Sequence, residues 1–138
     1  FEFRVSSWEG AVATFQRVED IEAWKKAREL TRRLYAITQE GSFAKDFGLR
    51  DQIRRAGESV MANIAEGFER GGTKEFMQFL AMAKGSIGEV KSHLYVALDQ
   101  RYLSNPQSLE EMMQLTTQTG RVIAGLMQYL RQTVIRGS

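Results

Sequence analysis

The sequence predicts an all-α protein, an antiparallel up-down-up-down four-helix bundle, and three observations carry that prediction. Apolar residues recur at steps of three and four through most of the 138 residues, as they do in helices that bury one face. A single proline is present, so almost nothing interrupts those periods. The breaks between periodic segments are short, and a short connection returns the chain alongside the helix it has just left.

The first helix begins after Glu19 and Asp20, with Asp20 as its N-cap. It places Trp24, Ala27, Leu30, Leu34 and Ile37 on one stripe and runs to about Gln39, where Gly41 and Ser42 stop it. The second opens after Gly48 and carries Leu49, Ile53, Ala56, Val60, Ile64 and Phe68, ending near Gly71 and Gly72. A third starts at Thr73 as N-cap and runs through Phe76, Phe79, Leu80, Ala83, Ile87, Val90, Leu94 and Leu98 to about Leu103. At ~1.5 Å rise per residue it spans roughly 45 Å. Ser104, Asn105 and Pro106 then fit a helix start with proline in the first position, and Ser108 with Glu111 offers a capping box. From Leu109 the residues Met112, Thr116, Thr119, Ile123, Leu126, Leu130 and Thr133 or Val134 keep a heptad step, so the fourth helix is also bundle-forming.

Residues 1–14 stand apart as an N-terminal arm or residues added for expression, and 15–138 form the helical domain. Phe1, Phe3 and Val5 alternate with Glu2 and Arg4, as in a short strand, before Ser6, Ser7 and Gly10 break the pattern. The chain opens without Met and closes on Gly137 and Ser138, which fits added residues at either end. Phe15, Val18 and Ile21 are expected to pack on the bundle where the arm enters the first helix.

Composition removes several function classes. Without cysteine there is no disulfide framework, zinc-thiolate site or thiol nucleophile. With His93 as the one histidine, a multi-histidine metal site is impossible, and a paired Glu-x-x-His di-iron site cannot be assembled. His93 still leaves a Ser-His-Asp triad one possible base, but no nucleophile or metal constellation accompanies it, and the expectation is no cofactor, no metal and no enzymatic activity. No stretch approaches the ~18 apolar residues of a membrane span, so a cytoplasmic protein without membrane contact is expected. The 19 Lys and Arg against 17 Asp and Glu give +2, a slight lean towards anionic partners.

Several strings in the second and third helices carry a likeness. Gln52-Ile53-Arg54-Arg55-Ala56, Ala62-Asn63-Ile64-Ala65-Glu66-Gly67-Phe68, Lys74-Glu75-Phe76 and Ala83-Lys84-Gly85-Ser86 leading to Glu89 resemble the bacterial four-helix-bundle family of 23S ribosomal RNA intervening-sequence proteins. Asp20 and Ala23-Trp24-Lys25-Lys26-Ala27 are similar to that family's opening, and the likeness runs from about Phe15 to Thr133. Met61 departs from it, because the family usually has proline there; without that proline the second helix should run straighter. The resemblance implies a bacterial homopentameric ring that binds structured RNA or DNA and has no accepted enzymatic activity. A related branch comprises accessory proteins of diversity-generating retroelements, which act with a reverse transcriptase and its template RNA; nothing in these residues places the chain there.

Nucleic-acid affinity requires Lys and Arg gathered on one face, because neutralised phosphates supply most of it. The first helix offers Lys25, Arg28 and Arg32 on one side, alongside Lys26 and Arg33, and the second offers Arg50, Arg54 and Arg55. The plainer reading is solvated faces, with Glu22, Glu29 and Asp51 each four residues before a cation. A ring would multiply any basic stripe and make weak sites useful. Arg70 and Lys74 flank Gly72 and Thr73 at a helix start that suits one phosphate, although Gly67–Lys74 is no Walker A loop. The predicted nucleic-acid contacts are thus Lys25, Arg28, Arg32, Arg50, Arg54, Arg55, Arg70 and Lys74.

Asn63, Glu66 and Glu89 fall among apolar stripes, where a carboxylate needs a partner, with Arg54 and Arg55 the obvious candidates; a polar network joining helices or protomers and fixing register is expected, ahead of Asn63 and Glu66 as a binding or catalytic pair. His93 reads as a surface or interface residue. Gly85 and Gly88 weaken the third helix and should be repaid by close helix approach, while Ser86 should bond back to its own helix. Of the aromatics, Trp24, Phe76 and Phe79 belong to the core rather than to base stacking. Six methionines exceed one narrow stripe, which calls for a second apolar surface and hence self-association. The rival to a nucleic-acid-binding oligomer is an oligomeric scaffold that docks a protein partner through such a face.

Overall fold

The computed structural model describes residues 3–6, 12–103 and 105–135, with side chains over 15–103 and 105–132. The expectations for Phe1, Glu2, Ser7, Gly10, Ser104, Gly137 and Ser138, and for the side chains of Thr133 and Val134, lie outside the described residues. Within them, β1 (Phe3–Ser6) pairs antiparallel with β2 (Val12–Phe15), Phe3 opposite Phe15 and Ser6 opposite Val12. A single 3-10 turn, Val18–Asp20, leads into α1 (Glu22–Ile37) and a short α2 (Gly41–Lys45). Then follow α3 (Phe47–Glu69), α4 (Thr73–Asp99) and α5 (Pro106–Ile135).

The helix starts differ from expectation in instructive ways. Asp20 does not cap α1: it belongs to the 3-10 turn and its carboxylate accepts the N–H of Arg17 at 3.2 Å, leaving extended Ile21 at the N-cap. The cap of α3 is Asp46, two residues ahead of the glycine that marked it, accepting from Leu49 N–H at 3.1 Å. Thr73 is the first residue of α4, with Gly72 at the cap. At α5 the proline sits in the first turn as predicted, and Asn105 Oδ1 accepts the N–H of Gln107 at 3.0 Å. Glu111 does not close a capping box; it pairs with Arg33 on α1 at 3.1 Å. The unpredicted α2 exists because Gly41, at φ +59°, turns the chain so that Phe43 can be fully buried.

Each long helix packs on two others, α3 against α1 and α4, and α5 against α4 and α1. The predicted stripes supply the core: Ala27, Leu30 and Leu34 of α1, Ile53, Val60, Ile64 and Phe68 of α3, Phe76, Leu80 and Leu94 of α4, and Met112, Ile123 and Leu130 of α5. Trp24, Leu49 and Ile37 reach only its margin, Phe79 is half-buried without joining it, and Leu98 is exposed where Ala97 takes the buried place. Thr116 and Thr119 are buried without cost in lost hydrogen bonds, because each hydroxyl donates to a carbonyl one turn back, Met112 O at 2.6 Å and Leu115 O at 2.7 Å.

Two buried glycines of α3 set the helix spacing. A Cβ on Gly67 would lie 2.6 Å from Phe79 Cβ, and one on Gly57 2.9 Å from Leu34 Cδ1, so α4 and α1 lie close against α3 at these points. Gly85 and Gly88 do not serve the role expected of them within the chain, since both face open space. Along α3, the α4 partner number rises as the α3 number falls, from Gly67 beside Phe76 to Ser59 bonded to Ser86. The α1 contacts of α3 follow the same opposed order, Tyr35 with Glu58 and Thr38 with Arg54.

Candidate nucleic-acid interface

On α1 the side chains of Lys25, Arg28, Glu29 and Arg32 line an open groove of about 340 Å³. The spacing of three and four residues puts them on the helix side away from Ala27, Leu30 and Leu34, so burial of one stripe exposes the other. Lys25 pairs with Glu22 at 3.2 Å, a contact between exposed side chains worth about 0–1 kcal/mol. Arg28 lies over the Trp24 ring, 5.9 Å from its centroid. Arg28, Arg32, Arg55 and Lys74 make no ion pair among the described residues, which leaves their charges available to an anion.

The remaining predicted cations are engaged. Arg50 pairs with Asp51 at 3.0 Å, donates to Ala44 O at 3.2 Å and lies 4.7 Å over Phe47. Arg54 donates to Thr38 Oγ1 at 2.8 Å and lies 4.4 Å over Tyr35. Arg70 pairs with Glu66 at 2.9 Å and lies 5.3 Å over Phe79. The helical pairs expected of Lys26, Arg33 and Arg55 with acids four residues earlier do not form, and Arg33 reaches α5 instead.

The network proposed for Asn63, Glu66 and Glu89 is not assembled within the chain. Glu66 is exposed and tied to Arg70 on its own side of the helix, Glu89 is exposed, and Arg54 is turned towards α1. Asn63 donates to Ser59 O at 2.9 Å and Ser59 Oγ at 3.1 Å, and Ser59 is bonded in turn by Ser86 Oγ at 2.9 Å. The polar link between α3 and α4 is therefore Asn63-Ser59-Ser86. Ser86 also approaches Met82 O at 3.3 Å, the back-bond expected of it. A second polar cluster ties α3 to α1, where Tyr35 donates a short hydrogen bond to Glu58. That carboxylate acceptor, then burial and the carboxylate's charge, push the Tyr35 phenol's pKa up.

Tyr102 ties the end of α4 to the start of α3 by donating to Asp46 Oδ2 at 2.8 Å. The Leu49 N–H and this hydroxyl together hold the Asp46 carboxyl below its ordinary pKa, while the same bond raises that of Tyr102. His93 is half-buried on α4. Among the described residues no group of three or more His, Asp and Glu side chains converges in a way that could hold a metal ion, and no helix is long and apolar enough to cross a membrane.

Of the six methionines, Met112 and Met127 are in the core, Met61, Met77 and Met113 pack on it, and Met82 alone is largely exposed, at 55%. Of the methionines, then, only Met82 stands on an outer face. On α4, opposite the core stripe, Ala81, Gly85, Gly88, Ser92 and Tyr95 follow steps of four and three, flanked by Met82 and Val96, and all seven are exposed. Hydrophobic periodicity missed this surface because small residues carry little hydrophobic weight.

Helices wrapped round one apolar core, with a cationic groove on one outer face and a small-residue apolar face on another, define a helical scaffold whose distinctive chemistry lies on its surface. The chain belongs to the 23S rRNA-intervening sequence protein family, whose model matches residues 19–125. No curated protein matches it. Among solved structures it is similar to a protein of unknown function from the S23 ribosomal protein family of Bacteroides thetaiotaomicron. The two are 21% identical with a TM-score of 0.68, over 76% of this chain and 97% of that one. At that identity the likeness concerns the fold.

Proposed function

We propose that the chain is a non-enzymatic, antiparallel up-down-up-down bundle that self-associates as a ring and binds structured RNA, or DNA, through basic helix faces. The observation that carries the binding is the α1 groove, where Arg28 and Arg32, beside Lys25 and Glu29, make no ion pair among the described residues. Family membership supports the choice of RNA. The opposed order of partners between α3 and both α1 and α4 supports the antiparallel arrangement. Arg55 and Lys74 are the further phosphate contacts this reading retains. Arg50, Arg54 and Arg70 are weaker ones, because their charges are already answered or held inward.

Self-association is supported by the outer face of α4. A glycine inside a helix costs about 0.5–1 kcal/mol relative to alanine, and Gly85 and Gly88 recover none of it against the described residues. A helix from another copy crossing close to them would recover it, burying Met82, Tyr95 and Val96 as well. The same face favours a second reading, a scaffold whose partner is another protein. Light scattering separates the two, on the protein alone and with a structured ribosomal RNA fragment at about 50 and 200 mM salt. Phosphate-driven binding gives a larger particle at the lower salt that dissociates at the higher. An assembly indifferent to RNA at both salts refutes the nucleic-acid reading.

A further inference from the structure

Resting on the nucleic-acid reading above, the first turns of α3 carry a feature that phosphate binding does not use. Phe47, the first residue of that helix, is 63% exposed and belongs neither to the core nor to the side chains packed on it. The Arg50 guanidinium lies 4.7 Å over its ring and is fixed there from two sides, by Asp51 and by the carbonyl of Ala44. One turn further, Arg54 is fixed over Tyr35 in the same manner by Thr38. Arginines held at two points in this way are less free to follow a phosphate than Arg28 or Arg32. Over residues 45–58 the carboxylates of Asp46, Asp51 and Glu58 offset all but one of the charges of Lys45, Arg50, Arg54 and Arg55, and Asp51 answers Arg50 directly.

A partly apolar surface made of an exposed ring and a guanidinium whose charge Asp51 answers suits a ligand that is itself flat and polarisable. Within a nucleic acid that is an unpaired base, whose face stacks on aromatic rings and arginine planes alike, whereas a paired base inside a duplex has its faces covered. We propose that Phe47, with Arg50 stacked over it, is a stacking site for an unpaired nucleobase, so that the α1 groove supplies phosphate attraction and the start of α3 selects looped or single-stranded segments. Arg50 and Arg54 thereby change role, from phosphate contacts to components of a stacking platform.

The test measures fluorescence anisotropy of three labelled RNAs of equal phosphate count, a single strand, an open-loop hairpin and a blunt duplex, at two salt concentrations. The wild-type chain is expected to bind the unpaired RNAs more tightly than the duplex. Phe47→Ala should lose roughly 5- to 150-fold on the unpaired RNAs only, with an unchanged salt slope. Phe47→Trp should restore the binding, and thermal melting should show both variants folded, since the site is exposed. Arg28→Gln should do the opposite, weakening all three RNAs and lowering the salt slope. Equal affinity for paired and unpaired RNA, or a preference that survives Phe47→Ala, overturns the stacking site while leaving the groove intact. Failure of the wild-type chain to bind any of the three RNAs refutes the nucleic-acid reading and the stacking site with it.

Discussion

Gly67 is where the spacing of α3 and α4 is most exposed to test. Alanine there would place a methyl carbon 2.6 Å from Phe79 Cβ and 3.1 Å from Phe76 Cδ1. Phe79 Cβ is fixed to the α4 backbone, so relief requires the helices to move apart. Overpacking of this kind costs typically about 1–3 kcal/mol, against a gain of about 0.8–1 kcal/mol from replacing glycine in a helix interior. At 2.6 Å from a Cβ the overpacking cost belongs in the upper half of that range, about 2–3 kcal/mol, so the net expectation for Gly67→Ala is a loss of about 1–2 kcal/mol, or roughly 3–8 °C in Tm for a chain of this size. Gly57→Ala should cost less, since the nearest atom, Leu34 Cδ1 at 2.9 Å, is the free end of a side chain that can rotate. Gly85→Ala and Gly88→Ala meet nothing within 4 Å and should each stabilise the protomer by about 0.5–1 kcal/mol. Urea unfolding followed by far-ultraviolet circular dichroism, at concentrations where light scattering gives equal mass, ranks the four. A Gly67→Ala protein as stable as wild type would refute the claim that this glycine sets the approach of the two helices.

The other predictions concern charge and backbone strain. Gln at Arg28 or Arg32 should reduce the salt slope of RNA binding by about one unit each, measured by titration across salt. Arg101 closes α4 at φ +59°, with Tyr102 N–H bonded to Ala97 O and Arg101 N–H to Leu98 O, a position suited to glycine. Arg101→Gly should raise stability by up to about 1 kcal/mol, read as a higher urea midpoint. Because the Asp46 carboxyl is held below its ordinary value near 3.8, its contribution is present above that pH and declines as pH falls through the lowered value. Asp46→Asn keeps the cap for Leu49 N–H on its one carbonyl oxygen, meets the Tyr102 hydroxyl with an amide N–H that donates instead of accepting, and cannot titrate, so its Tm should fall less steeply than wild type below about pH 4. On the alkaline side, the raised Tyr102 pKa means its contribution holds below pH 10 and fades above it; Tyr102→Phe should remove that decline in a melting series.

The sequence by itself determined the four long helices and most of their buried faces. The cause is geometric: a 3.6-residue turn converts spacing of three and four directly into a buried stripe, as Ile53, Val60, Ile64 and Phe68 illustrate. It also determined that Lys25, Arg28 and Arg32 share an outer face, since the core stripe of the same helix fixes where they point. Tertiary structure decided what lies across a gap that one-dimensional spacing cannot measure. It turned Arg54 onto Tyr35 and Thr38, joined Arg33 to Glu111, left Glu66 and Glu89 outside any shared network, and made Ser59 the hinge between Asn63 and Ser86. It likewise separated glycines that look alike in sequence, packing Gly57 and Gly67 against neighbouring helices and leaving Gly85 and Gly88 facing open space. A helix period says which side a residue occupies, whereas the identity and distance of the group opposite come only from how the helices are laid together.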